Sequence, residues 1–161
     1  MIRTAHTPPT PAARSTVMTD NTAGRALTGM PRAAGLVGAA ILLIACAVHA
    51  YWAAGGQWGA ATAYGSPEVP PQAASAVVAI LIAGAALLLL ARIGLLAAPL
   101  PAWMLRAGTW VLVAVFALAG AINFIQPPDA YARDWHIYLF GPLLLTLAAL
   151  CAIAERSRFP R

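Results

Sequence analysis

Charge is scarce in this chain. Charged residues make up 9% of its 161 residues and hydrophobic residues 61%, whereas a soluble domain carries about 25% charge. All ten basic residues are arginines, and lysine is absent. The net charge of +5 is scattered over loops and tails, which disfavours a nucleic-acid-binding surface. This composition excludes a soluble globular domain and leaves room for one membrane domain.

Chemically reactive residues are also few. The two cysteines, Cys46 and Cys151, form no C-x-x-C motif, which disfavours a thiol–disulfide enzyme of that type. No acidic or basic residue lies near mid-membrane, where the proton relays of transporters sit. No third histidine, cysteine or acid is placed for a zinc site. A haem shared by His49 and His136 is awkward because the two residues lie at different depths, so no cofactor is predicted.

Four long apolar stretches occupy most of the chain after residue 32. A bilayer core of about 30 Å needs roughly 20 apolar helical residues, and each stretch is near that length. The stretches without any charged side chain are Ala33–Ala54, Ala73–Ala91, Ala107–Ile125 and Ile137–Ala154. With their flanking residues the spans run about 33–54, 73–92, 104–126 and 136–154. The short joints predict an all-α membrane protein, an antiparallel four-helix transmembrane bundle.

The arginines predict the orientation of this bundle. Nine of the ten precede span one, separate spans two and three, or follow span four, and Arg133 alone lies on the opposite side. The positive-inside rule then places both termini in the cytoplasm. The predicted domains are a disordered cytoplasmic tail at 1–32, a four-span cell-membrane domain at 33–155 and a basic cytoplasmic tail at 156–161.

Two questions about processing stay open. Translation could begin at Met1, Met18 or Met30. The string Leu43-Ile44-Ala45-Cys46 resembles a bacterial lipobox, and lipidation of Cys46 would remove span one.

Glycine, aspartate and proline mark the ends of the spans. Gly55-Gly56 predicts the end of span one, and Asp134 is expected to cap the N-terminus of span four. Pro142 lies within the first two turns of span four, where it removes one backbone hydrogen bond and frees the carbonyl of Tyr138. A kinked fourth helix is therefore predicted, with the kink in its outer half.

Polar and aromatic residues concentrate at the predicted outer end of the bundle. The inner halves of the spans are almost featureless by comparison, so any site is expected at the outer end. The candidate ligand-site residues are His49, Trp52, Trp58, Asn123, Asp134 and His136.

His49 is the most informative of these candidates because it lies about 7 Å below the outer end of its helix. An ionisable group at that depth usually faces the bundle and has a partner. Two interpretations stay open: a ligand contact or proton carrier, or a structural hydrogen bond to Asn123 or to the carbonyl freed by Pro142. The alternatives for the other residues are an aromatic belt for the tryptophans, an interfacial anchor for His136 and a link between helices for Asn123.

One string covers the end of span one and the loop behind it: His49-x-x-Trp52-x-x-Gly55-Gly56-x-Trp58-Gly59. It resembles the opening signature of a family of small bacterial four-span membrane proteins of unknown function. The resemblance covers about residues 35–154 and extends through Pro101-Ala102-Trp103, Asn123-Phe124 and the aromatic-x-Pro of span four. It implies four spans, including the first, and no known activity. It also implies an Asp in most members where this chain has an Asn at 123.

The residues favour a binding or interaction module over an enzyme. In the preferred hypothesis, the polar and aromatic outer end binds a membrane-protein partner, a lipid or a second copy of the chain. The alternative is a membrane-embedded enzyme or redox-linked protein that acts on a lipid or quinone-like molecule through His49. The lipid bilayer is the one partner that the composition requires.

Overall fold

The structure is a computed structural model that describes residues 11–64, 71–126 and 132–156, with side chains from residue 29 onward. All regular structure in these ranges is helical. A π-helical turn, His136–Phe140, precedes the last helix. The helices in chain order are α1 (Pro11–Ala53), α2 (Ala60–Tyr64), α3 (Gln72–Arg92), α4 (Ala102–Ile125), α5 (Arg133–Trp135) and α6 (Gly141–Ala154).

Four segments of the described chain are long and apolar enough to cross a membrane. They are Gly29–Ala53, Gln72–Arg92, Ala102–Ile125 and Arg133–Ala154. The last segment joins α5, the π-helical turn and α6. The prediction of an all-α, four-helix membrane bundle is confirmed, and the observed ends lie within four residues of the predicted ones.

The backbone of α1 is helical well before its apolar segment begins at Gly29. Residues 11–28 therefore continue the helix in a region where the sequence predicts a tail without regular structure. Residues 1–10 and 157–161 lie outside the described residues. The assignment of cytoplasmic tails at 1–32 and 156–161 stays a prediction.

The four spans pack as an antiparallel bundle. The most extensive contacts join α1 to α3 and α4 to α6, while α1 also contacts α6 and α3 contacts α4. At one end Gly35 lies against Ile93 and Ala154, and at the other Gly55 lies near Gln72. We call the end that carries Arg92, Arg106 and Glu155 the arginine end, and the end that carries His49, Asn123 and His136 the histidine end.

Small side chains allow the helices to approach each other closely, as is common in membrane bundles. A Cβ added at Gly120 of α4 would lie 2.9 Å from the Leu145 side chain of α6 and 3.1 Å from its backbone nitrogen. The buried core is also built mainly from alanine and leucine. Its members are Ala39, Leu42, Ala86, Leu89, Ile93, Leu147, Cys151 and Ala154.

Ion pairs join three helices at the arginine end. Arg92 donates from Nε to Oε2 of Glu155 at 2.8 Å and from Nη2 to the backbone carbonyl of Glu155. Arg106 donates from Nε to Oε1 of the same carboxylate at 3.0 Å. The side chains of Arg92 and Glu155 are 5% and 7% exposed, whereas that of Arg106 is 66% exposed. One nearly buried carboxylate therefore links α3 and α4 to the end of α6.

The fourth span is irregular in the region where a kink is predicted. The amide of Gly141 donates to the carbonyl of His136, five residues earlier, which closes the π-helical turn. Pro142 follows in the first turn of α6, where the missing N–H of proline is tolerated. A Cβ added at Gly141 would lie 2.8 Å from the ring of Phe124, so the turn also packs tightly on the end of α4. A π-helical turn is one of the established causes of a bend in a helix.

The expectation that Asp134 caps the fourth span is wrong. The helix begins at Arg133, so the cap position falls on Ala132, which makes no side-chain capping hydrogen bond. Asp134 lies inside the first turn instead. An acidic side chain there still interacts favourably with the positive end of the helix dipole, which accounts for an aspartate near this N-terminus without a capping role.

Candidate functional site at the histidine end

A tight loop ends α1. Gly55 has a φ of +97°, its amide donates to the carbonyl of Trp52, and the amide of Gly56 donates to the carbonyl of Tyr51, both at 3.0 Å. This pair of bonds is a Schellman motif, which needs a left-handed residue at its first glycine. A second left-handed glycine, Gly59 with a φ of +72°, begins the turn into α2. The predicted end of span one at Gly55-Gly56 is therefore confirmed.

Trp52 of α1 holds the loop after Gly55 against the end of that helix. The side chain is 5% exposed, and Nε1 donates to the carbonyl of Trp58 at 2.9 Å. The Trp52 ring lies 4.8 Å from the ring of His49 and 5.6 Å from that of Tyr64, centroid to centroid. These three rings form what we call the aromatic cluster. Sequence reasoning left Tyr64 out of the candidate site, and only its position in an aromatic-rich loop signalled it.

His49 has a hydrogen-bond partner in its own helix. Nδ1 lies 2.9 Å from the carbonyl oxygen of Ala45, four residues earlier. A carbonyl can only accept, so Nδ1 donates the proton. The expected structural partners, Asn123 and the carbonyl freed by Pro142, are therefore wrong. The nearer acceptor prevails because the carbonyl four residues back is always within reach of a helical side chain.

His136 forms a second cluster with the end of α4. Its Nδ1 lies 2.5 Å from Oδ1 of Asn123, and Nδ2 of Asn123 donates to the carbonyl of Ala119 at 2.8 Å. The ring also lies 5.1 Å from that of Phe140. Nε2 of His136 is buried and has no hydrogen-bond partner among the described residues. Asn123 links the third and fourth spans, as its alternative interpretation expected.

The comparison with known families covers both clusters. The model of one family matches residues 42–151, which is more than half of the chain. The chain belongs to the family described as Protein of unknown function (DUF3995). No curated protein matches the chain. No solved structure matches it either.

The six candidate residues of this DUF3995 protein do not converge on one cavity. His49 and Trp52 belong to the aromatic cluster, whereas Asn123 and His136 form the second cluster, and no hydrogen bond or ring contact joins the two within the described residues. Trp58 contributes its carbonyl, while its side chain is 81% exposed. Asp134 is exposed as well. The sequence predicted which helix ends carry these residues, but it did not predict how their side chains pair.

The arginine end is the part of this DUF3995 protein that sequence reasoning undervalued. Any site was expected at the opposite end of the bundle, yet Glu155 and Arg92 form a nearly buried ion pair where α3 and α6 end. The sequence did contain a signal that could have predicted this ion pair. Arg92 ends one span, Arg106 begins the next and Glu155 follows the last, so antiparallel packing must bring these residues to the same end of the bundle.

Proposed function

We propose that this DUF3995 protein is a non-enzymatic binding module of the cell membrane, with His136 as its ligand contact. The observation that carries the proposal is the buried Nε2 of His136, which has no partner among the described residues. Leaving a buried polar atom without a hydrogen bond costs about 1–3 kcal/mol. Such atoms are rare in folded proteins, and a bound group that completes the hydrogen bond is a physical reason to keep one.

The hydrogen bonds around His136 define what it can bind. The amide of Asn123 is oriented by the carbonyl of Ala119, which must accept from Nδ2. Oδ1 of Asn123 therefore faces His136 and accepts from Nδ1. A neutral histidine that carries its proton on Nδ1 presents a lone pair at Nε2. The site suits a hydrogen-bond donor, such as the hydroxyl of a lipid head group or of a side chain on a partner helix.

The backbone supports the same conclusion. His136 is the first residue of the π-helical turn, and such turns are frequent at functional sites. The turn gives the fourth span an irregular backbone at the level of His136 and Phe140. In a lipid environment, irregular backbone is tolerated where it is buried in protein or borders a polar site.

The proposed orientation places the histidine end outside the cell and both termini in the cytoplasm. It rests on the positive-inside rule and on the nine arginines of the cytoplasmic loops and tails. Reporter fusions can test it. A cytoplasm-active fluorescent protein should work when joined after Arg161, and an externally active phosphatase should work when inserted at Gly59. The reverse pattern would overturn the orientation.

Nitrogen NMR of histidine tests the binding proposal directly. In full-length protein labelled with nitrogen-15 histidine, delipidated His136 should show a protonated Nδ1 and a bare Nε2. Adding a membrane-lipid extract should move the Nε2 resonance, because a donor then binds the lone pair, and should move the resonances of His49 much less. Asn123→Leu is the matched variant, since it removes the acceptor that fixes the tautomer. A proton on Nε2 in the wild-type protein would overturn the proposal, and an Nε2 resonance unchanged by the extract would exclude a lipid as the ligand.

One observation favours a second candidate, a membrane enzyme or redox-linked protein that acts on a lipid or quinone-like molecule through His49. The His49 ring lies beside Trp52 and Tyr64, and aromatic rings favour stacking with a planar ligand. Titration of the purified protein with a soluble quinone, followed by tryptophan quenching, tests this candidate. The quenching should weaken in His49→Ala and persist in His136→Gln. Equal quenching in wild type and His49→Ala would exclude a role for His49.

A further inference from the structure

A cavity of about 460 Å³ opens at the arginine end of the bundle. Its size falls within the usual range for small-molecule sites. The lining residues come from the ends of α3 and α6 and from the first half of α4. They are Arg92, Arg106, Trp110, Ala152, Glu155 and Arg156.

The lining of this cavity carries a positive charge. Three arginines face one carboxylate, which leaves a formal excess of two positive charges. Glu155 is already engaged by Arg92 and Arg106. Arg156 is exposed, and Arg106 binds the carboxylate through Nε while its side chain stays 66% exposed. The excess charge therefore lies on accessible guanidinium groups, whose planar set of donors matches the oxygens of a phosphate.

The cavity also reaches the apolar part of the bundle. Trp110 and Ala152 both lie within membrane-spanning segments. Trp110 follows Arg106 by four residues, or about 6 Å along α4, and its side chain is 52% exposed. Tryptophan is enriched at the level of lipid head groups. Arginines at the opening of the cavity lie next to the Trp110 side chain. This combination suits the phosphate of a lipid, which is joined to acyl chains, better than it suits a free phosphate ion in water.

We propose that this cavity binds the phosphate of an anionic membrane lipid, with Arg106 and Arg156 as the phosphate contacts and Trp110 beside the glycerol region. Arg92 acts as a positioning residue, because it holds the carboxylate of Glu155 and so sets the place of Arg106. Basic pockets between helices at the cytoplasmic side of a membrane are suited to such head groups. The site lies at the opposite end of the bundle from His136; it rests on the membrane orientation proposed above and does not depend on ligand binding at His136.

Lipid titration of the full-length protein in detergent, read by native mass spectrometry, tests the proposal. The probes are phosphatidylglycerol, phosphatidylcholine and inorganic phosphate. Each arginine near a membrane surface contributes about a fivefold change in affinity for an anionic lipid. Arg106→Gln and Arg156→Gln should therefore each weaken phosphatidylglycerol binding about fivefold, and the double variant about 25-fold if the two effects add. Arg133→Gln is the matched control, since it removes one arginine from the opposite end, and it should leave binding unchanged.

The three probes separate the outcomes. A preference for phosphatidylglycerol over phosphatidylcholine that falls in Arg106→Gln and not in Arg133→Gln supports the site. Equal binding of the two lipids by the wild-type protein overturns it. Equal losses in Arg106→Gln and Arg133→Gln also overturn it, because they indicate attraction by net charge alone. Binding of inorganic phosphate that is as strong as that of phosphatidylglycerol would overturn the assignment to a lipid. Circular dichroism of each variant confirms that the bundle stays folded.

Discussion

Substituting Glu155 by Gln removes the carboxylate that joins three helices. Glu155 and Arg92 are 7% and 5% exposed, so this pair is a buried one, and removing one partner of a buried pair costs about 3–5 kcal/mol. The bond to Arg106 adds less, because that side chain is 66% exposed and exposed pairs contribute about 0.2–1 kcal/mol. Glutamine still offers an oxygen that can accept from Arg92. We therefore expect Glu155→Gln to lower the free energy of unfolding by about 3 kcal/mol, near the lower end of the range.

Reversible unfolding in mixed micelles measures this change. The protein is held in a mild detergent, the fraction of sodium dodecyl sulfate is raised, and helix content is followed by circular dichroism. Arg106→Gln is the matched control, since it breaks the exposed pair alone, and it should cost about 1 kcal/mol or less. The double variant Arg92→Gln/Glu155→Gln removes both buried charges and should cost less than Glu155→Gln alone. The reasoning is refuted if Glu155→Gln costs no more than Arg106→Gln.

Three further substitutions test the local geometry. Gly55→Ala forces a Cβ onto a residue with a φ of +97° and should cost about 1–2 kcal/mol in the same unfolding assay, while an unchanged midpoint would contradict the left-handed cap. Trp52→Phe removes the bond from Nε1 to the Trp58 carbonyl, so hydrogen exchange at the amides of residues 54–60 should speed up, and unchanged exchange would show that the bond does not hold the loop. Gly120→Ala should lower the free energy of unfolding by about 1–3 kcal/mol, because the new methyl group would lie 2.9 Å from the side chain of Leu145. Gly84→Ala meets nothing within 4 Å and should be neutral or stabilising by up to about 1 kcal/mol, so equal effects at the two glycines would contradict the packing.

The spans could be predicted from the sequence because their signal is long and strong. An uncharged stretch near 20 residues has few alternatives to a transmembrane helix, and four such stretches joined by short loops favour an antiparallel bundle. The end of span one was predictable for a similar reason. Gly55 adopts a backbone conformation that other residues avoid, so its place after an apolar run is informative.

The partners of the polar side chains were not predictable in the same way. His49 binds the carbonyl of Ala45 rather than a group on another helix, because the choice depends on the rotamer and on the rotation of the helix. Neither quantity can be deduced from spacing alone. His136 and Asn123 did pair across helices, but the sequence offered no reason to prefer this pair over one between His49 and Asn123. The π-helical turn at His136–Phe140 changes the rotation of the fourth span before Pro142; the proline predicted a kink in this region but not which way the side chain of His136 would face.

The two ends of the bundle use their polar groups in different ways, and this difference shows where to look for function. At the arginine end, the carboxylate of Glu155 bonds across helices, so substitutions there change stability and binding together. At the histidine end, the side chains of His49 and Asn123 each bind a carbonyl one turn back in their own helix, and the only hydrogen bond between the side chains of different spans among the described residues there joins Asn123 to Nδ1 of His136. Nε2 of His136 takes part in neither arrangement. A substitution that alters only Nε2 of His136 should therefore weaken ligand binding without lowering the stability of the bundle. A change at Glu155 lowers the stability as well, because its carboxylate joins helices.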